Sequence, residues 1–150
     1  LNMIYYFDRR EQDKKILESL HLTEIDKLSL INDNHNYLGE KIEKPWGYEY
    51  EIYSSNSLSI WILNIKEGQS TSFHCHPNKF TLLHVLSTET RVVCNDALTY
   101  HFLYKGDQVL IDKGAFHQTT ACLAPAVVME IESPNNKNDL IRFKDKYGRV

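Results

Sequence analysis

The chain has 150 residues, a formal net charge of −3, 42% hydrophobic residues and 25% charged residues. This length fits one domain that buries enough surface to fold without disulfides or a structural metal. The chain has no basic stripe that would favour a nucleic-acid partner, and its apolar runs are too short to span a bilayer. Its three cysteines lack framework spacing, which favours free thiols and a cytoplasmic location.

Residues 1–43 are predicted to form a helical N-terminal arm. Asp8 followed by Glu11 indicates a helix N-terminus, and apolar residues recur behind it at helical spacing. A second short helix is predicted from Thr23. We expect the arm to cover a sheet edge or to contribute to a homodimer. Because Leu1 stands where an initiator methionine is usual, we also consider that the domain belongs to a longer protein.

From residue 44 to residue 150 the pattern is typical of an all-β domain. The first strand, Tyr48 to Tyr53, alternates aromatic or aliphatic residues with glutamate. Many short strands without intervening helices favour an antiparallel barrel or sandwich over a parallel sheet. Later strands are predicted at 58–65, 71–76, 81–86, 90–94, 97–103, 107–111, 117–122 and 126–132.

Two histidines lie one residue apart in the predicted strand 71–76. Alternate side chains of a strand share a face, so His74 and His76 point the same way and can bind one metal ion. A third histidine, His117, opens a later strand. Neutral imidazole is a ligand for several divalent ions. We therefore predict a site for Zn, Fe, Mn or Ni on these three histidines.

These histidines lie in segments that resemble the two motifs of the cupin superfamily. The first is a glycine, five residues and His-x-His, and the second begins at Gly106 and ends at His117. The resemblance covers residues 44–132 and implies an antiparallel jelly-roll barrel with a metal on the motif histidines. Cupins usually carry a glutamate ligand three or four residues after the second histidine, where this chain has Phe80 and Thr81. The resemblance therefore implies a three-histidine site without that carboxylate.

The segment from Lys44 to Glu49 resembles the Pro-Trp-Gly segment of mannose-6-phosphate-isomerase-type cupins and of the cupin part of mannose-1-phosphate guanylyltransferases. That resemblance implies a small carbohydrate substrate, a sugar or a sugar phosphate, and an isomerase or epimerase of polysaccharide biosynthesis. Two alternatives stay open. One is a three-histidine Fe(II) dioxygenase, and the other is a non-catalytic sugar-binding domain.

The candidate catalytic residues are Glu130 and His84. Glu130 shares one face of the strand 126–132 with Glu132, and this face is expected to meet solvent or a polar cavity, while the alternate apolar set packs between the sheets. His84 supplies a fourth nitrogen only if its strand turns it inward. An acid or base beside the metal would favour an enzyme, and an apolar, amide-lined pocket would favour binding alone. The candidate substrate-binding residues are Trp46, Ser72, Lys79 and Gln118.

Overall fold

The computed structural model describes residues 2–21, 35–87, 89–94 and 100–150, and the predicted helix from Thr23 lies outside them. The described residues form one helix, α1 (Glu11–Ser19), and twelve strands. No helix among them has the length and apolar character that a membrane crossing requires. The strands are β1 (Ile4–Phe7), β2 (Ile42–Lys44), β3 (Gly47–Ser54), β4 (Ser59–Ile65), β5 (Phe73–Cys75), β6 (Phe80–Val85), β7 (Thr90–Cys94), β8 (Tyr100–Leu103), β9 (Gln108–Ile111), β10 (His117–Ala121), β11 (Ala126–Ser133) and β12 (Ile141–Lys144).

The strands form two sheets around one apolar core. The seven-stranded sheet has the order β1-β9-β6-β11-β4-β3-β2, and the five-stranded sheet has the order β12-β5-β10-β7-β8. All neighbours are antiparallel except β1 and β9. The core combines side chains of both sheets, among them Trp61, Leu83, Val92, Leu103 and Val128. The prediction of a mostly antiparallel, all-β jelly roll is confirmed.

Three short strands were not predicted. β1 adds residues 4–7 to the large sheet beside β9, so the N-terminal arm is part strand and part helix. β2 pairs with β3, and β12 extends the small sheet beside β5. Strands of three or four residues show too few alternations to stand out in a sequence, and only their partners identify them.

Helix α1 covers the small sheet on the side away from the histidines. The N-cap residue is Arg10 and not Asp8, so the helix begins at Glu11. The backbone N–H of Arg10 donates to the buried Asp13 carboxylate at 2.8 Å. The other oxygen of Asp13 accepts from the Phe116 N–H at 3.0 Å, which ties the helix to the start of β10. Leu17 packs with Cys75 and with aromatic rings of the sheet. The helix therefore supports β5 and β10, the two strands that carry the histidines.

The apolar set of β11, which was predicted to pack between the sheets, lies on the opposite face of the strand. Val128 is fully buried, and Glu132, two strand periods along, is buried on the same face. The apolar alternates Val127, Met129 and Ile131 are only half-buried, so they lie on the outer face of the large sheet. The glutamates therefore point into the barrel, where a polar cavity receives them.

Gly47 makes the Pro-Trp-Gly turn possible. It pairs with Ile65 at the start of β3 and has φ +151°, a conformation that residues with a side chain rarely adopt. A Cβ at this position would overlap the carbonyl oxygen of Asn64. Trp46, which precedes it, is buried in the core. The glycine therefore lets two backbones approach closely and fixes where the tryptophan enters.

Candidate metal centre

The three predicted histidines come together inside the barrel. β5 and β10 are neighbours, and His117 lies directly opposite His74 in the register, so both side chains share one face. His76 follows on the same face of the chain leaving β5. One potential ligand atom from each histidine lies within 4.8 Å of the others. Three imidazoles at this spacing can hold one ion.

Backbone carbonyls fix the orientation and the tautomer of each ring. A carbonyl oxygen only accepts, so the proton lies on Nδ1, and Nε2 keeps its lone pair for a metal. The Nε2 atoms of His76 and His117 are buried and have no hydrogen-bond partner in the part of the chain that the structure describes. A buried polar atom without a partner is destabilising, and a divalent ion would satisfy both. The Nδ1 distances are 2.8 Å from His74 to Ser72 O, 2.7 Å from His76 to Asp139 O and 2.9 Å from His117 to Ala115 O.

Burial keeps these imidazoles neutral. It lowers the pKa of His76 to about 3 and that of His117 to about 4, and neighbouring positive charge contributes in the same direction. The pKa of His74 is also well below its usual range, because of burial and of the two other histidines. Metal ligation requires unprotonated imidazole, so protons do not compete for these nitrogens near neutral pH.

Two carboxyl groups of β11 lie beside the histidines. Burial alone would raise the pKa of Glu132, but the charge of Lys79, a hydrogen bond with Glu130 and the neighbouring His76 outweigh it and lower that pKa. Burial, followed by the charge of Glu132, raises the pKa of Glu130 well above its usual range. Within the pair, these opposite shifts favour the proton on Glu130 and the negative charge on Glu132.

Glu132 is the site residue that the sequence analysis missed. Its Oε1 lies 3.7 Å from His76 Nε2, and its Oε2 forms an ion pair with Lys79. Lys79 is only 2% exposed, so it is not a solvated loop residue. A signal was present in the sequence, because Glu132 shares its strand face with Glu130.

Trp46 and Ser72 line the same cavity as His74 and His76, and their binding roles stay predictions. The cavity has a volume of about 80 Å³. Since one water needs roughly 10–15 Å³ measured in this way, there is room for several waters or a small ligand. Its further lining includes Lys44, Glu49, Leu63, Thr71, Lys79, Glu130, Glu132, Lys137, Leu140, Arg142 and Arg149.

Two predicted site residues lie outside this cavity. His84 alternates with the fully buried Leu83 and Val85, so it is half-buried on the outer face of β6. Gln118 follows His117 on β10 and therefore faces the other way, where its amide donates to Thr71 O at 2.9 Å. The catalytic role predicted for His84 and the binding role predicted for Gln118 are corrected, because strand alternation turns both away from the metal centre.

One cation of the cavity has no carboxylate within ion-pair distance among the described residues. Arg142 lies opposite His74 in the β12–β5 register, and its Nε is buried without a partner. The other cations are occupied: Arg149 forms two side-chain hydrogen bonds with Asp145, Lys79 pairs with Glu132, and the lysines Lys44 and Lys137 contact Glu49 at 3.5 and 2.7 Å. Arg142 is therefore the cation available to an anionic ligand.

No protein-family model matches the chain. The chain is 23% identical to the mannose-1-phosphate guanylyltransferase ManC of Salmonella typhimurium over 133 residues, 84% of this chain and 26% of that protein. It thus spans about a quarter of the length of the curated relatives it matches.

Solved structures show the fold. An RmlC-like cupin from Shewanella frigidimarina superposes with a TM-score of 0.59 at 16% identity, covering 71% of this chain and 96% of that chain. The capsular polysaccharide assembling protein CapF from Staphylococcus aureus gives 0.63 at 15% identity, covering 93% and 40%. The jelly roll of this chain is the cupin fold, as the two histidine motifs predicted.

Proposed function

We propose that this cupin-fold chain is a metal-dependent enzyme that isomerises or epimerises a phosphorylated sugar in polysaccharide biosynthesis. The observation that carries the proposal is a cluster of three buried imidazoles, two of which line a cavity that also contains Glu130, Glu132 and Arg142, an arginine with no carboxylate at ion-pair distance among the described residues. The similarity to a mannose-1-phosphate guanylyltransferase and to a capsular polysaccharide assembling protein supports the choice of a sugar.

A divalent ion on the three histidines would act as a Lewis acid that polarises a substrate carbonyl and acidifies the neighbouring C–H bond. Glu130 is assigned the role of proton carrier, because burial raises the pKa of this cavity carboxyl well above its usual range, which favours a form able to donate a proton. We assign phosphate binding to Arg142, and its position opposite His74 supports a phosphate site beside the metal centre. Trp46 forms part of the cavity wall.

The cavity contents support an enzyme over a binding domain, because they include an acid and a carboxylate besides the histidines. The dioxygenase alternative requires bound Fe(II) and oxygen uptake. Elemental analysis of the purified protein, with an oxygen electrode, separates it from the isomerase. Bound iron with substrate-dependent oxygen consumption would favour the dioxygenase.

We expect the metal-loaded protein to exchange solvent deuterium into the C–H next to the carbonyl of at least one aldose or ketose phosphate. Mass spectrometry or NMR of a broad sugar-phosphate panel in D₂O measures this exchange. Glu130→Gln should reduce the rate at least 100-fold, because general acid–base groups contribute about 10²–10⁴-fold. The absence of exchange across the panel would contradict the proposal.

For Arg142→Gln we expect an increase in KM for the phosphorylated sugar of roughly 10- to 100-fold, since a charge-assisted hydrogen bond contributes about 1.5–3 kcal/mol. KM for the unphosphorylated sugar should change little. Arg91→Gln, on β7 and outside the cavity lining, is the matched control. Equal losses for both sugars would show that Arg142 does not recognise the phosphate.

A further inference from the structure

Three neutral imidazoles leave the charge of a divalent ion uncompensated. The histidines are buried, and a buried charge without a counter-charge is strongly disfavoured. An anionic oxygen ligand would remove most of that penalty. In cupins this ligand belongs to the first motif, but the corresponding positions here are Phe80 and Thr81, and Phe80 is exposed on the outer face.

The strand register places a carboxylate directly beside the position where the ligand is missing. Glu132 of β11 pairs with Thr81 of β6. Paired residues of neighbouring strands point to the same face, with Cβ atoms about 4.5–5.5 Å apart. Glu132 therefore projects into the barrel from the position next to residue 81 on the neighbouring strand, and Thr81 is small enough to leave it room.

One oxygen of Glu132 is oriented toward His76, but the carboxylate lies outside the group of histidine atoms within 4.8 Å of one another, so ligation requires a shift of the Glu132 side chain. Its Oε1 lies 3.7 Å from His76 Nε2, while Lys79 holds its Oε2. A carboxylate anchored through one oxygen presents the other oxygen in a fixed direction. Outer contacts generally orient metal ligands in this way. Lys79 thus serves as the anchor that orients Glu132.

Resting on the metal centre of the proposed function, we infer that Glu132 is the fourth protein ligand of the ion, supplied by β11 in place of the motif glutamate of β6. Lys79 is a positioning residue for it. The competing explanation is that Glu132 and Lys79 form only a structural ion pair. In that case removing either partner destabilises the fold equally, and neither change alters metal affinity.

Zn²⁺ affinity, measured by competition with a chromophoric chelator, separates these explanations without any substrate. We expect Glu132→Gln to raise the Kd for Zn²⁺ at least tenfold. Losing even an outer contact to a metal ligand typically weakens metal affinity by about 10- to 100-fold, and Glu132 is inferred to be a ligand itself. The Kd of Glu49→Gln for Zn²⁺ should stay within about twofold of the parent value. Glu49 is the matched control, since it is also buried in the cavity and paired with a lysine. Lys79→Met should also raise the Kd, but by less than Glu132→Gln, because it leaves the carboxylate in place and removes only the contact that orients it.

Melting curves recorded without metal show whether each variant is folded, and a crystal structure of the Zn²⁺-loaded protein gives the direct answer. A Glu132 oxygen about 2.0–2.2 Å from zinc supports the inference. A Kd for Glu132→Gln equal to that of the parent, or a zinc held by the histidines alone, overturns it and leaves the proposed function intact. If the parent protein binds no divalent ion, the proposed function fails as well.

Discussion

His117→Ala is expected to abolish tight binding of divalent metal and, with it, deuterium exchange into sugar phosphates. His117 supplies one of three buried imidazoles, and no described residue forms a hydrogen bond with its Nε2. Loss of an outer contact weakens metal sites 10- to 100-fold, so loss of a ligand should exceed about 100-fold. Isothermal titration calorimetry with Zn²⁺ measures the affinity.

Thermal unfolding gives a second readout of the same change. Metal at 100 times its Kd stabilises a protein by about 2.7 kcal/mol, which corresponds to roughly 5–10 °C in Tm for a chain of this size. His117→Ala should lose this shift. His84→Ala is the matched control, because His84 lies on the outer face of β6. Retention of the shift in His117→Ala, or its loss in His84→Ala, would contradict the assignment of the metal centre.

Gly47→Ala is expected to lower the free energy of unfolding by about 3 kcal/mol or more. The new Cβ meets the backbone oxygen of Asn64 in a conformation that already disfavours a side chain. Urea denaturation followed by circular dichroism measures the loss. Because Trp46 precedes Gly47 and lines the cavity, any folded fraction should also bind the sugar phosphate more weakly.

Gly39→Ala separates close packing from backbone strain. Gly39 also has a positive φ, of +83°, but a Cβ there would have no neighbour within 4 Å. We expect Gly39→Ala to lower the free energy of unfolding by only about 1 kcal/mol. Similar losses in both variants would show that the contact with Asn64 does not decide the effect.

The metal-binding histidines were predictable because their signal is local. His74 and His76 share a face through strand alternation alone, and the segment leading to His117 has a recognisable glycine spacing. The same alternation predicts that Cys75 faces away, and it is buried against Leu17 on the far side of the small sheet. The all-β class was predictable for a similar reason, since short alternating runs separated by glycine and proline favour antiparallel strands.

The acidic and cationic parts of the site depend on pairings that no local pattern encodes. Glu132 reaches the histidines because β11 places it beside Thr81. Asp139 O holds His76, and Arg142 lies opposite His74, because β12 returns to pair with β5 after more than sixty intervening residues. His84 was misplaced because alternation shows which residues share a face but not which face is buried, whereas Gln118 directly follows His117, so alternation itself turns it away from the metal centre.

Alternation along a strand is a property of the covalent chain, so the pair His74 and His76 could be read from the sequence. Register between strands depends on how the whole barrel closes, and only the tertiary structure decides it. The missing carboxylate shows the difference. Phe80 and Thr81 predicted a centre without an acidic ligand, and the pairing of β11 with β6 brings the carboxylate of Glu132 beside Thr81 from a much later strand.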